Sequence, residues 1–172
     1  MSDYKLAIKE EMEKLAKIPN VVYMGQQVLS EDFYGTLKDV PKERRIEMPV
    51  AEEMQTGIAL GMALEGILPV SIYQRMDFLP RACDQLVNHL DILKETSQGK
   101  FDPKVILIST VGSTKPMDVG LQHNKDLVEG FTKLFRNIKV LPVKTVEEVR
   151  SAYKVAVECS GSVLIIWYQD LF

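Results

Sequence analysis

The chain has 172 residues, 46% hydrophobic and 26% charged, with a formal charge of -3, a balance that suits one folded domain and excludes a disordered or collagen-like polymer. Nucleic-acid binding leaves a basic footprint; here the basic residues are scattered, and the short run Lys42 to Arg45 reads as a solvated loop, which argues against nucleic acid as a partner. No stretch approaches the roughly 20 apolar residues of a membrane span, and Met1, Ser2, Asp3 do not open a signal peptide, so the expectation is a cytoplasmic protein away from the membrane.

From the N-terminus, Ile8, Met12 and Leu15 recur at helical spacing, predicting an amphipathic helix over residues 3–18 with Asp3 as its cap and Pro19 and Asn20 as its end. Residues 21–24 read as a strand, followed by a polar loop punctuated by Gly25, Gly35 and Pro41 that covers a surface. A brief strand at 45–48 leads through Pro49 into a helix over 52–64. Gly57 and Gly61 share one face of that helix and cost about 1 kcal/mol each against alanine, which predicts close approach to a sheet. A strand at 67–73 precedes a long helix opening near Asp77, with Pro80 in its first turn and Leu79, Cys83, Leu86, Leu90 and Leu93 along one apolar face, wide enough to serve in self-association. Strands at 105–109, 138–141 and 163–167 then alternate with a loop at 112–120 and helices at 126–135 and 146–159; the last strand is apolar enough to be buried on both faces. Strands that alternate with helices predict a three-layer α/β/α fold around a mainly parallel sheet, with residues 1–172 forming a single domain. The two cysteines, Cys83 and Cys159, show no metal-ligand spacing and are expected to be reduced and mostly buried.

In open parallel sheets, ligands bind beyond the carboxyl ends of the strands. Three such places stand out: Pro49, Val50, Ala51, Glu52; Gln74, Arg75, Met76, Asp77, Phe78; and Gly120, Leu121, Gln122, His123. Taken singly, each has a plain structural explanation. Acids favour the first turn of helices because of the free amides there, so Glu52 or Glu53 alone is a helix-start residue. Phe78 alone is a core aromatic, and His123 and His89 alone are ordinary polar side chains.

Taken in order, the pieces are more specific. Pro49-Val50-Ala51-Glu52, Thr56-Gly57-Ile58-Ala59, Gly66-Ile67-Leu68-Pro69-Val70, Asp84-Gln85-Leu86-Val87-Asn88 and Gly120-Leu121-Gln122-His123 together resemble the pyrimidine-binding domain of the transketolase-like thiamine-diphosphate enzymes. The resemblance is strongest to the N-terminal half of the β subunit of pyruvate and branched-chain 2-oxo acid dehydrogenases. It implies thiamine diphosphate as cofactor, with Glu52 as the glutamate that hydrogen-bonds a pyrimidine ring nitrogen, Phe78 stacking on that ring, Val50 and Gln74 as neighbouring contacts, and His123 beside the substrate. By analogy with aromatic pairs, the Phe78 stack contributes about 0.5 to 1.5 kcal/mol beyond area burial.

The family holds the diphosphate through Mg2+ bound by a Gly-Asp-Gly motif that this chain lacks; nor has it a Walker-type or Gly-x-Gly-x-x-Gly loop. The resemblance therefore implies that no metal is bound by this chain, and that a separate diphosphate-domain (α-type) subunit holds the Mg2+ in a hetero-oligomer. Departures from the family pattern are Gln26 after Gly25, Glu53-Met54-Gln55 after Glu52, Asn124-Lys125 after His123, and the end of the sequence near Phe172 without the relatives' C-terminal domain. These leave substrate choice open between 2-oxo acids and ketose-like donors. Two rival readings stand beside this one: a non-catalytic interaction or regulatory subunit with a degenerate domain, and a generic α/β binding domain.

Overall fold

The computed structural model describes residues 1–115 and 117–172; Pro116, inside the loop expected at 112–120, lies outside the described residues. The six expected strands form as β1 (Val21–Gly25), β2 (Arg45–Glu47), β3 (Leu68–Ile72), β4 (Ile106–Val111), β5 (Lys139–Val143) and β6 (Val163–Tyr168). They pair in the order β2-β1-β3-β4-β6-β5, and every pairing is parallel. All six carboxyl ends therefore open on one edge of the molecule.

Strict alternation along the strands divides the core in two. Val21, Tyr23, Val70, Ile72, Ile106, Ile108, Val163, Ile165 and Trp167 face one side, where α1 (Asp3–Ala16) and α6 (Val146–Glu158) cover them. Met24, Leu107, Leu164 and Ile166 face the other, covered by α3 (Glu52–Leu64), the segment 76–90 and α5 (Val128–Leu134). The expected three-layer α/β/α arrangement is thus observed, with β6 buried on both faces. The loop after β1, including the irregular turn α2 (Asp32–Gly35), adds Val28, Phe33, Leu37 and Val40 to the first face. Buried Arg45 holds it there through the carbonyls of Val28, Leu37 and Val40 and the Asp32 carboxylate.

Several local expectations are corrected. Ser2, rather than Asp3, caps α1, its side chain accepting from the Lys5 amide. The single long helix expected from Asp77 is a composite: a 3-10 helix Met76–Ala82, a π-helix Asp84–Leu90 and a short α4 (Leu93–Thr96). Pro80 has no N–H to return to Met76, which breaks the α-helical ladder at its start. At the far end Asp91 holds the turn that leads into β5, its carboxylate accepting from the amides of Arg136, Asn137 and Ile138 at 2.7–2.8 Å. Leu79, Leu86 and Leu90 are buried against the sheet, so the apolar face expected to serve self-association is already covered. Gly57 and Gly61 do not approach the sheet: Gly61 has nothing within 4 Å of an added Cβ, and Gly57 only the Gln85 side chain. The face of α3 that meets β3 carries Gln55, Thr56 and Ala59. Cys83 and Cys159 are free but only partly buried. No helix among the described residues is long and apolar enough to cross a membrane.

Candidate functional site

The chain leaving β1 packs on one face of the sheet and the chain leaving β3 on the other, which opens a crevice beyond the carboxyl ends of these neighbouring strands. Their backbones nearly touch there: a Cβ on Gly25 would lie 2.3 Å from the Ile72 carbonyl oxygen.

Helix α3 starts at this crevice and is bolted to β3. The Gln55 amide donates to Ser71 Oγ (2.9 Å) and to the Ile72 carbonyl (3.0 Å). Thr56 Oγ1 donates to the Glu52 carbonyl (2.8 Å) and lies 2.6 Å from the Tyr73 hydroxyl. Burial, reinforced by the Glu52 charge and only partly offset by hydrogen bonds from Ser71 and Thr56, pushes the Tyr73 phenol up to about 12.

These bonds fix Glu52, the first residue of α3, with 2% of its surface exposed. Its Oε2 is buried and accepts no hydrogen bond. Arg81 Nε stands 3.2 Å away, out of line for one, and the Arg81 side chain is 73% exposed. Buried polar atoms are almost always hydrogen-bonded, and one that is not marks a place where a ligand donor fits. Glu52 opens onto a groove of about 700 Å³ that Val50, Met54, Ile58, Arg81 and Gln85 also line. Val50 is 74% exposed at its mouth.

The second and third sequence candidates meet each other. The rings of Phe78 and His123 lie edge to face, 5.8 Å between centroids and 82° between planes, an attractive geometry for aromatic pairs. In a 3-10 helix, residues three apart eclipse, so Phe78 and Arg81 share one side of the segment 76–82, and Arg81 reaches Glu52. Gln74 leaves the end of β3, its carbonyl accepting from Thr110 Oγ1. The structure thus gathers Val50 and Glu52 around one groove and brings Phe78 and His123 into a ring contact, while Gln74, Phe78 and His123 do not line that groove.

A concavity of about 650 Å³ at the opposite edge, lined by Asp91, Lys94, Asn137 and Ser162, lies at the amino ends of β4, β5 and β6. Its most buried acid, Asp91, is already saturated by backbone amides. Among the described residues no cluster of three His, Cys, Asp or Glu side chains is placed to hold a metal ion.

Two arginines were given no role from the sequence. Arg75 lies within the second of the three places, just beyond the exit of β3, so its position was legible. Arg81 becomes a neighbour of Phe78 and Glu52 only through the 3-10 winding, which has no plain sequence mark.

A family model described as "Transketolase, pyrimidine binding domain" matches residues 1–170. Among curated proteins, the pyruvate dehydrogenase E1 component subunit beta of Chlorokybus atmophyticus is 27% identical over 171 residues, covering 96% of this chain and 49% of the relative. That of Porphyra purpurea is 27% identical over 173 residues, covering 98% and 50%. The chain spans about half the length of these relatives. A solved structure described as a split-gene transketolase, inactive beta4 tetramer, superposes with a TM-score of 0.71 at 20% identity, over 95% of this chain and 50% of that one, and shares the fold. With the parallel sheet, the carboxyl-edge crevice and a family match along nearly its whole length, the chain belongs to the transketolase pyrimidine-binding domain family.

Proposed function

We propose that this chain is the pyrimidine-domain subunit of a split thiamine-diphosphate enzyme acting on a 2-oxo acid or ketose-like donor, completed by a diphosphate-domain partner that holds Mg2+. The observation that carries the reading is the buried Oε2 of Glu52, which accepts no hydrogen bond, at the edge of an open groove. A carboxylate in that setting fits a ring nitrogen that shares a proton with it, and an aromatic three residues from Arg81 fits the adjoining ring face.

When bound, thiamine diphosphate supplies a carbon acid whose conjugate base adds to a substrate carbonyl. Glu52 holds a proton between Oε2 and the pyrimidine nitrogen, in a position fixed by Gln55 and Thr56. Phe78 would bound the ring, and Val50 and Gln74 would be its neighbouring contacts. His123, steadied by Phe78, donates a proton to, or hydrogen-bonds, the substrate oxygen. Val50, Met54 and Ile58 are exposed at 74%, 44% and 41%, so the groove is one wall only. A second chain closing over it would exclude water and strengthen every polar contact inside.

The test is to co-purify the chain with its partner, measure binding of thiamine diphosphate with Mg2+, and follow deuterium exchange at the thiazolium carbon. Glu52→Gln is expected to slow exchange by more than tenfold while leaving assembly intact. Unchanged exchange would falsify the assignment of Glu52, and an assembly that binds no thiamine diphosphate would leave a purely structural subunit.

A further inference from the structure

The loop 112–125 carries His123 across the carboxyl edge of the sheet, and its own hydrogen bonds are local. His123 N donates to the Gly120 carbonyl (3.0 Å), and Asp118 accepts from the Gly120 amide and the Asn124 side chain. Arg75, the second residue after Tyr73, ties both ends of the loop to the body of the fold. One terminal nitrogen of its guanidinium, Nη1, donates to the Gly112 carbonyl and, at 3.1 Å, to the His123 carbonyl, with Gln169 Oε1 at 3.4 Å. Gln169 in turn donates to Thr110 Oγ1 (2.7 Å), and Thr110 donates to the Gln74 carbonyl, back beside Arg75. The exits of β3, β4 and β6 and the His123 loop are therefore joined in one hydrogen-bonded circuit, and Arg75 is the member that reaches the loop.

The two ends of the loop differ in how they are held. The near end has a second anchor, because Asp170 accepts from the Thr114 amide (2.6 Å), the Thr114 hydroxyl (2.7 Å) and the Lys115 amide (3.2 Å); those bonds hold the Asp170 carboxyl below the usual range. At the His123 end, the other bonds to the body among the described residues are a long one, Lys125 N to Asp77 Oδ1 at 3.4 Å, near the limit of useful geometry, and, three residues beyond His123, the Tyr168 hydroxyl to Asp126 Oδ2 at 2.9 Å. Three residues after Arg75, Phe78 supplies the edge-to-face contact to the imidazole.

We infer that Arg75 is a positioning residue for His123: it ties the carbonyl of residue 123 to the exit of β3, so that the imidazole is presented against Phe78 in one place. The inference rests on the reading of His123 as a substrate-facing group. A lysine cannot substitute fully: all three contacts are made by one nitrogen, Nη1, which the rigid guanidinium plane holds in place, whereas an ammonium is a strongly hydrated point charge on a flexible stem.

The experiment is proton NMR of the 172-residue chain without cofactor. The sequence has two histidines, so two imidazole Cε1–H lines are expected, assigned by His89→Gln. In the wild type, Phe78→Leu should move the His123 line, because the neighbouring ring displaces it. In Arg75→Met, the His123 line should shift to the position of an unstructured histidine, and adding Phe78→Leu should move it no further; the His89 line and the far-UV circular dichroism should stay native. Arg75→Lys should lose part of the displacement, and it provides the readout if Arg75→Met does not fold. A His123 line that keeps its full Phe78-dependent displacement in Arg75→Met or in Arg75→Lys overturns the inference. Because the lines are read without cofactor, this result is separate from whether the assembled protein binds thiamine diphosphate.

Discussion

Replacing Glu52 by methionine should make the chain more stable. A carboxylate oxygen buried without a hydrogen bond, as Glu52 Oε2 is, costs about 1–3 kcal/mol of desolvation. Two terms work the other way. The first turn of a helix favours an acid by about 0.3–1 kcal/mol, and an ion pair with an arginine as exposed as Arg81 contributes about 0–1 kcal/mol. Methionine has nearly the same length, fills the same space and carries no oxygen, so the balance is a net gain of about 1 kcal/mol. For a chain of this size that is a rise in Tm of about 2–4 °C, measurable by calorimetry and checked by urea unfolding. If Glu52 were only a helix-start acid, the same substitution would lower the Tm by a degree or two. A fall, or no change, would refute the claim that its carboxylate is held at a cost for a ligand.

Two further outcomes follow from the same geometry. Gly25→Ala places a methyl 2.3 Å from the Ile72 carbonyl, so β1 and β3 must separate where the crevice begins; a loss of about 1–3 kcal/mol is expected, and an unchanged urea midpoint would sink the close-approach argument. Burial raises the phenols of Tyr4 and Tyr73 to about 12 from an ordinary value of 10.0. Folding thus favours their neutral forms, and the stability this contributes is complete below pH 10 and lost as pH rises through about 12, at about 2–3 kcal/mol for each residue. Phenolate absorbance should accordingly rise together with unfolding in that window, and independent titration of these residues near pH 10 in a folded chain would contradict it.

The strands were legible because apolar runs such as Val163 to Trp167 have no other use than burial on both faces, and parallel order followed from their alternation with helices. The segment after β3 was not. Its buried residues Met76, Leu79 and Ala82 fall three apart, then Leu86 and Leu90 four apart, a pattern that a single amphipathic helix imitates when Cys83 is read in place of Ala82. Glu52, Phe78 and His123 were singled out through their order along the chain. Sequence could not show that Glu52 Oε2 accepts no hydrogen bond, nor which way Arg75 and Arg81 lean, because long cationic side chains choose neighbours that only the folded backbone brings within reach.

The outermost strands have a consequence for solubility. A parallel sheet ends in a row of free backbone donors and acceptors that can template another chain. Here β2 offers only three residues, and β5 carries Pro142, which has no N–H to give, beside the charged, exposed Lys139. Edge-to-edge growth into fibres is blunted at both margins, which leaves helices and loops as the surfaces through which this chain can recognise another.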